Sequence, residues 1–215
     1  EVSSSEEAIE RQGRVFKLLN ALKQICNSPA QYLNQARATV EESGKLAACV
    51  EIMREADAAG EKALIFTQYA SMGELLSDAL LRELGLATPF LHGGLSRRQR
   101  DDMVSSFQSD RRVRAMVLSL KAGGTGLNLT AASQVIHYDL WWNPAVEAQA
   151  TDRAYRIGQD RRVQVHRLIT SETLEEKIDQ MMQDKKELAD LAVGSGEKWI
   201  TKLSDGELRE LVALG

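Results

Sequence analysis

The sequence predicts an α/β fold in which a parallel sheet is covered by helices on both faces, with helical additions at the N-terminal and C-terminal ends. Two observations lead to this prediction. Short apolar segments alternate with helical segments through the middle of the chain, and glycine-rich turns or an Asn-Pro pair separate several of them. Continuously apolar strands are typical of a parallel sheet buried between helices. A length of 215 residues suits one such domain with helical appendages.

The helices are predicted from apolar periodicity and from their start and stop signals. A first helix covers residues 6–26 and ends before Pro29, and a second runs from about Gly44 to Ala58 and ends at Gly60. After Asn143, which suits an N-cap, Pro144 suits the first turn of another helix. The remaining predicted helices are MGELLSDALLREL, residues 96–107, the long charged segment 173–191 and the amphipathic tail GELRELVAL.

The five predicted strands are KALIFTQY, TPFLHGG, VRAMVLSL, SQVIHYD and VQVHRLI, in that order along the chain. Ligands of an open parallel sheet bind beyond the carboxyl ends of its strands. We therefore expect four segments to lie along one edge of the sheet. These segments are Thr67–Gln68, His92–Gly94, Lys121–Gly126 and Asp139–Asn143.

The net charge of −4 by itself argues against a nucleic-acid partner, because such proteins usually have a basic surface. The charge is uneven, however: residues 1–60 have a net charge of −2, residues 61–167 of +3 and residues 168–215 of −5. Six arginines against three acids lie between Arg97 and Arg114, and five against one between Arg153 and Arg167. Such clusters suit phosphate contacts, and a solvated helix face is the alternative.

The two cysteines, Cys26 and Cys49, lie in predicted helices and are typical of reduced, buried thiols in an intracellular protein. No apolar run approaches 18 residues, so we expect no transmembrane helix and no membrane partner. The polar first residues do not resemble a signal peptide. The chain begins with Glu1 instead of Met, which indicates a fragment.

The glycine-rich segment AGGTGLNLT follows a strand, and its glycines would allow close backbone approach to a phosphate. A tight structural connection is the alternative. The segment has neither the G-x-x-x-x-G-K of a P-loop nor a full G-x-G-x-x-G, because Leu129 occupies the third glycine position. We therefore expect that no nucleoside triphosphatase works from this chain alone, unless its phosphate cradle lies in another segment.

Gln149, Arg153 and Arg156 are spaced i, i+4 and i+7, which predicts an outward stripe on one face of a helix. The neighbouring face, which is expected to pack, carries Ala150, Ala154 and Ile157. The planar guanidinium of arginine suits charge spread over phosphoryl oxygens. A surface ion pair between Asp152 and Arg156 is the alternative.

Other residue types give weaker indications. The histidines His92, His137 and His166 lack metal-ligand spacing and are expected in the core or at the rim of the sheet. The pair Trp141–Trp142 suits either an exposed aromatic reader or burial against the following helix.

Several segments together resemble a known family. QATDRAYRIGQ, residues 149–159, closely resembles motif VI of superfamily-two helicases, in the Swi/Snf-type branch of DNA translocases. KALIFTQY resembles motif IV, FLHGGLSRRQR motif IVa, VLSLKAGGTGLNLTAASQVIHYD motif V, and WWNPAVEAQA the stretch that joins motifs V and VI. ALKQICNSPAQYL resembles the helical element before the second motor lobe. The resemblance covers about residues 15–190, and WWNP and the tail are most similar to bacterial members.

Three motifs depart from the family's pattern. The family commonly has D-G-S where this chain has His92–Gly93–Gly94, and ICNHP where it has ICNSP. It has Arg where Lys121 stands, and lysine keeps the charge but lacks the bidentate geometry.

The resemblance implies a RecA-like second motor lobe over residues 44–170, preceded by a helical element over 1–43 and followed by a brace-like helix and tail over 171–215. It implies ATP with Mg²⁺ as cofactor, bound mainly by a first lobe whose P-loop and DEAH-type motif are not in this sequence. Implied partners are double-stranded DNA, the N-terminal RecA-like lobe of the same protein and a DNA-bound protein as remodelling target. The implied location is cytoplasmic, nucleoid-associated in a bacterium or nuclear in a eukaryote.

The resemblance also implies roles for individual residues. Arg153 and Arg156 would act as arginine fingers on the γ-phosphate of ATP. Gly124 and Gly126 would approach the nucleotide, and Gln149 would hold the interface between the lobes. The residues implied to approach the DNA backbone are Gln68, His92, Gly93, Lys121, Asn128 and Trp141.

Two other classes of function suit parts of the sequence. The sheet pattern alone would suit a stand-alone α/β domain that binds a nucleotide or a phosphorylated metabolite. The acidic C-terminal segment, residues 172–190, would suit the docking surface of a non-catalytic interaction domain. The ordered set of motifs favours the motor lobe.

Overall fold

The chain alternates strands and helices in the predicted order. The computed structural model describes residues 2–119, 127–155, 161–186 and 203–213, and only the backbone of residues 2–8, 144 and 184–186. In chain order the elements are α1 (Val2–Asn27), α2 (Pro29–Tyr32), α3 (Gly44–Ala58), β1 (Ala63–Thr67), α4 (Ala70–Leu84), β2 (Phe90–Leu91), α5 (Arg97–Ser109), β3 (Ala115–Ser119), β4 (Gln134–His137), α6 (Pro144–Thr151), β5 (Gln164–Arg167), α7 (Leu174–Lys186) and α8 (Asp205–Val212).

Within the described residues the strands form one five-stranded sheet in the order β2-β3-β1-β4-β5. Every pairing in it is parallel, with Ala63 opposite both Ala115 and Gln134. All carboxyl ends therefore lie at one edge, as predicted. The strand β5 differs from the sequence-based expectation, because Val165 is 43% exposed and the strand is an edge strand, not a buried one.

Alternate residues of the central strands face two different helical layers. Ile65, Val117 and Ile136 pack in a cluster with residues of α3 and α4. Leu64, Phe66 and their neighbours pack with Phe107 of α5 and with Ala150 at α6. The period of two along a strand places successive side chains on opposite faces. The prediction of an α/β sheet with helices on both faces is therefore confirmed.

A third apolar cluster holds the terminal helices together. It joins residues of α1, α7 and α8 with Trp142; its buried members are Val15, Leu19, Trp142, Leu174, Ile178, Leu203 and Leu211. Polar contacts fasten α1 in the same region, because Arg11 donates to the carbonyl oxygen of Leu203 at 2.8 Å and to Asp205 at 2.7 Å. Nearer its end, Asn20 accepts a hydrogen bond from the Tyr69 hydroxyl at 2.7 Å.

The end of α4 requires a glycine. Gly85 has φ of +69°, and the backbone bonds Gly85 N to Leu81 O and Leu86 N to Leu80 O close the helix. The bond from Gly85 N to Leu81 O is that of an αL cap, which a residue without Cβ adopts at the least cost. Gly13, in contrast, lies within α1, and a Cβ there would meet nothing within 4 Å.

The same substitution at these two glycines is expected to have opposite effects. Gly85→Ala should lower the free energy of unfolding by about 1 kcal/mol, because alanine is strained at positive φ. Gly13→Ala should raise it by up to about 1 kcal/mol, because alanine is the better helix former. Urea unfolding of both variants tests this, and equal signs would contradict the assigned helix end.

Candidate functional site

The carboxyl edge of the sheet brings Gln68 and Trp141 together. Gln68 follows β1, and its side-chain Nε2 donates to the carbonyl oxygen of Leu140 at 3.0 Å. Leu140 and Trp141 follow β4, the neighbour of β1. Gln68 and Trp141 also line one pocket of about 140 Å³ together with Asn20 and Lys23 of α1. Two of the residues expected to contact DNA are therefore close neighbours.

His92 and Gly93 lie at the end of β2, which is separated from β1 by β3. The His92 Nδ1 accepts from the N–H of Gly94 at 3.2 Å, and its ring lies 5.0 Å from that of Phe90. Arg100 of α5 donates to the carbonyl oxygen of Gly93 at 3.1 Å. These residues share the edge with Gln68 but not a direct contact with it. Asn128 is exposed in the segment before β4.

The two tryptophans have different environments. Trp142 is 7% exposed and packs in the third apolar cluster, with Lys23 Nζ 4.4 Å from the centre of its ring. Trp141 is partly buried. Its indole Nε1 is buried and has no hydrogen-bond partner among the described residues. Burial therefore applies to Trp142, whereas Trp141 is only partly buried.

Helix α6 begins as predicted and ends earlier than predicted. The Asn143 side chain accepts from Ala145 N at 3.1 Å, which caps the helix, and Pro144 follows it. The helix ends at Thr151, and residues 152–154 form a turn. Gln149 and Arg153 therefore do not share a helical face, and the expectation of an outward helical stripe is wrong.

Arg153 is buried and Gln149 is exposed. Arg153 is 6% exposed, and its carbonyl oxygen accepts from Leu129 N at 3.0 Å. This backbone bond places the end of the motif V segment beside the motif VI segment. Ala150 and Ala154 are fully buried, as predicted for the packing face. Arg156, Gly124, Gly126 and Lys121 lie outside the described residues, as does Ile157.

Of the residues implied to approach ATP, Gln149 lies in α6 and Arg153 in the turn that follows it. The bond from Leu129 N to Arg153 O joins this turn, but not Gln149, to the end of the motif V segment. For Mg²⁺ the fit is absent: the described part of the chain contains no group of three or more His, Cys, Asp or Glu side chains that could hold a metal ion. No chemistry of Mg²⁺ is therefore assigned to these residues.

A buried polar network underlies the carboxyl edge. The Asp139 carboxylate, 1% exposed, accepts hydrogen bonds from the Thr67 hydroxyl at 2.5 Å, from Gln68 N at 2.8 Å and from the Asn27 side chain at 3.3 Å. Burial raises the pKa of Asp139, and Lys23 and the Thr67 hydroxyl lower it in part. The sequence predicts that Asp139 lies at the edge but not that it has a role there. The signal for that role is a carboxylate directly after an apolar strand.

An ion pair extends this network to α3 and α7. Lys45 Nζ lies 2.6 Å from Glu175, with side chains 3% and 1% exposed, and also donates to Asn27 at 3.3 Å. The pair joins residues 130 positions apart in the chain. No local pattern could have indicated it.

The histidines and cysteines fit structural roles. Burial, with a contribution from Arg167, lowers the pKa of His137 to about 4, and its Nε2 lies 3.0 Å from the Thr151 hydroxyl. Burial raises the pKa of Cys49 to about 12, and it also raises that of Cys26. Both cysteines are free thiols. Among the described residues, no helix is both long and apolar enough to cross a membrane.

Comparison with known families identifies the fold. A family model described as "Helicase conserved C-terminal domain" matches residues 44–158, just over half of the chain. This chain belongs to that family. The matched range contains β1 to β4, α6 and Arg153, so the carboxyl edge described above is part of the helicase C-terminal domain.

Solved structures specify the type of helicase C-terminal domain. The chain is similar to the Sulfolobus solfataricus SWI2/SNF2 ATPase core in complex with dsDNA, with a TM-score of 0.85 and 46% identity over 96% of this chain and 43% of that one. It is also similar to the SWI2/SNF2 ATPase C-terminal domain of the same organism, with a TM-score of 0.81, 44% identity and coverage of 96% and 84%. The helicase C-terminal domain is of the SWI2/SNF2 type and RecA-like in fold, which confirms the predicted family and fold.

A relative from Bacillus subtilis (strain 168), YwqA, is named as an ATP-dependent helicase/translocase. It is 50% identical over 208 residues, which is 96% of this chain. This helicase C-terminal domain spans 22% of the length of YwqA.

Proposed function

We propose that this chain is the second motor lobe of an ATP-dependent, DNA-stimulated translocase of double-stranded DNA. The observation that carries the proposal is the likeness, at 46% identity, to less than half of an ATPase core in complex with dsDNA. A RecA-like first lobe of the same protein would form the other half of the motor. A DNA-bound protein is the proposed remodelling target.

The DNA-facing part of the lobe is the carboxyl edge of the sheet. Gln68 and Trp141 would approach the backbone near the centre of this edge, and His92 and Gly93 would approach it at the end of β2. Asn128 would approach it from the segment before β4. Neighbouring strands are about 4.8 Å apart, so the ends of β2 and β4, three positions apart, are separated by about 14 Å. A single DNA strand carries one phosphate per about 3.4 Å of helix axis. The edge is therefore long enough to meet several successive phosphates.

Arginines add a positive charge to this edge. Arg97 and Arg98 begin α5 directly after the end of β2, and their side chains are 96% and 93% exposed. Each lies 3.9 Å from an aspartate on the next turn, and within the described residues neither makes a hydrogen bond with its side chain. Exposed guanidinium groups that make only long, solvent-exposed ion pairs can exchange them for contacts with phosphates.

The ATP-facing part of the lobe is the segment from Gln149 to Arg156. ATP, held with Mg²⁺ mainly by the first lobe, would supply the free energy for translocation. Arg153 and Arg156 are the proposed arginine fingers, and Gly124, Gly126 and Gln149 are the proposed neighbours of the nucleotide. The bond between Leu129 N and Arg153 O couples this segment to the motif V segment, whose Lys121 and Asn128 are proposed to contact DNA. This coupling supports DNA stimulation of ATP hydrolysis.

The isolated chain is expected to hydrolyse no ATP, whereas the full-length protein that carries it is expected to be stimulated by double-stranded DNA. The physical reason is that the phosphate cradle and the Mg²⁺ ligands would come from the first lobe. Phosphate release measured with and without duplex DNA tests both expectations. Metal-dependent turnover by a clean preparation of the 215 residues would contradict the proposal, and tight nucleotide binding by the chain alone would favour a stand-alone nucleotide-binding domain.

A further inference from the structure

The Asp139 carboxylate connects three separate parts of the chain at the carboxyl edge. Its Oδ1 accepts from the backbone N–H of Gln68, and its Oδ2 accepts from Thr67 at the end of β1 and from Asn27 at the end of α1. Asp139 itself follows β4. One buried side chain therefore ties two neighbouring strand ends to the N-terminal helix.

Only a carboxylate can satisfy this arrangement. Three donors converge on its two oxygens, whereas an asparagine offers one oxygen and places an N–H₂ donor where the second oxygen stood. The buried negative charge is balanced by Lys23 and by Lys45, which bonds the same Asn27. A buried carboxylate is costly to desolvate unless it is hydrogen-bonded and paired, so its presence here needs a reason beyond filling space.

The bonds to Asp139 fix the residue that is proposed to reach DNA. Gln68 is held twice: its N–H by Asp139, and its side-chain Nε2 by the carbonyl oxygen of Leu140, the next residue after Asp139. Leu140 in turn precedes Trp141. Losing the carboxylate would therefore loosen both strand ends at once, and Gln68 would have to be ordered again whenever DNA binds.

We propose that Asp139 is the positioning residue of the DNA-binding edge, which holds Gln68 and the Leu140–Trp142 segment in the geometry that meets the DNA backbone. The inference rests on the proposed function, because it assumes that this edge binds DNA. Ordering flexible side chains on binding lowers the affinity, and two strand ends are affected here. A loss of about 10-fold in apparent affinity for DNA is therefore expected.

The test is Asp139→Asn in the full-length protein, with the rate of ATP hydrolysis measured against the concentration of duplex DNA. The DNA concentration at half-maximal stimulation is expected to rise about 10-fold, with a much smaller change, within about twofold, in turnover at saturating DNA. The matched control is Asp179→Asn. Asp179 is another buried carboxylate, 8% exposed, which pairs with Arg167 at 2.7 Å and does not contact the Gln68 segment.

Thermal unfolding of both variants separates positioning from stability. The proposal expects a comparable loss of melting temperature in the two variants but a raised DNA requirement in Asp139→Asn alone. Equal DNA requirements in Asp139→Asn and Asp179→Asn would overturn it. Thr67→Val, which removes one donor to Asp139 and keeps the side-chain shape, serves if Asp139→Asn does not fold. An increase of about threefold in the DNA requirement is expected there, and no increase would equally overturn the proposal.

The same experiment distinguishes failure of the proposed function from failure of the proposed role of Asp139. If the unmodified full-length protein shows no stimulation by duplex DNA, the translocase assignment fails before the role of Asp139 is reached. If the unmodified protein is stimulated and the variants respond as it does, only the role of Asp139 fails.

Discussion

Arg156→Ala in the full-length protein is expected to lower DNA-stimulated ATP hydrolysis by about 10³- to 10⁵-fold, the contribution of an arginine finger to phosphoryl transfer. The expectation follows from the proposed role of the motif VI segment. The guanidinium would stabilise charge that develops on the transferred phosphoryl group, and alanine removes it. Steady-state ATP hydrolysis at saturating DNA measures the loss, and thermal unfolding should show little change.

Two further variants make this experiment specific. Arg156→Lys keeps the charge but loses the planar fork, so most of the activity should still be lost. Arg54→Ala, an exposed arginine of α3 paired with Glu51, is the control and should leave turnover unchanged. Turnover of Arg156→Ala close to that of the unmodified protein would exclude the finger role.

Arg153 is expected to behave differently from Arg156 because it is only 6% exposed. Its truncation would leave a cavity as well as remove a charge, so activity and stability should fall together. A loss of ATP hydrolysis in Arg153→Ala would therefore combine lower stability with lost catalysis. Arg156 is the better probe of phosphoryl transfer.

Lys45→Met is expected to lower the free energy of unfolding by about 3–5 kcal/mol. The substitution leaves the Glu175 carboxylate buried without its cation, which is the costly way to break an interior ion pair. Denaturation of the chain by urea, followed by circular dichroism, measures the loss.

The double variant Lys45→Met with Glu175→Gln is expected to recover much of the lost stability. No uncompensated charge remains, and glutamine can still accept the hydrogen bond from Thr170 N that Glu175 receives at 3.0 Å. The control is Arg14→Met on the surface of α1, where the 3.5 Å pair with Glu10 is exposed and should contribute less than about 1 kcal/mol. A loss in Lys45→Met as small as that in Arg14→Met would contradict the burial of the pair.

Local signals predicted most of the fold. The Asn143–Pro144 start of α6, the glycine end of α4 and the alternation of β1 and β3 between two helical layers all depend on near neighbours in sequence. The parallel sheet then placed the strand ends at one edge. Gln68 and Trp141 could therefore be placed at the same edge, although not next to each other, because the strand order was not predicted.

Contacts between distant residues could not be predicted. Nothing in the sequence ends α6 at Thr151, because the following residues Asp152 to Ile157 continue a helical period. The turn instead places the carbonyl oxygen of Arg153 against Leu129 N. The bonds of Asp139 to Asn27 and of Lys45 to Glu175 likewise join elements that meet only in the folded chain.

The attachment of α1 has a mechanical consequence. The helix has 26 residues and is fixed to the lobe at Asn27, at Asn20 and at Arg11. A helix of that length is about 39 Å long, so a lobe rotation of about 10° around the Asn27 end displaces the far end by about 7 Å. Because the helix is attached along its length, it moves with the lobe, and a small rotation at the Asn27 end becomes a larger displacement at Val2.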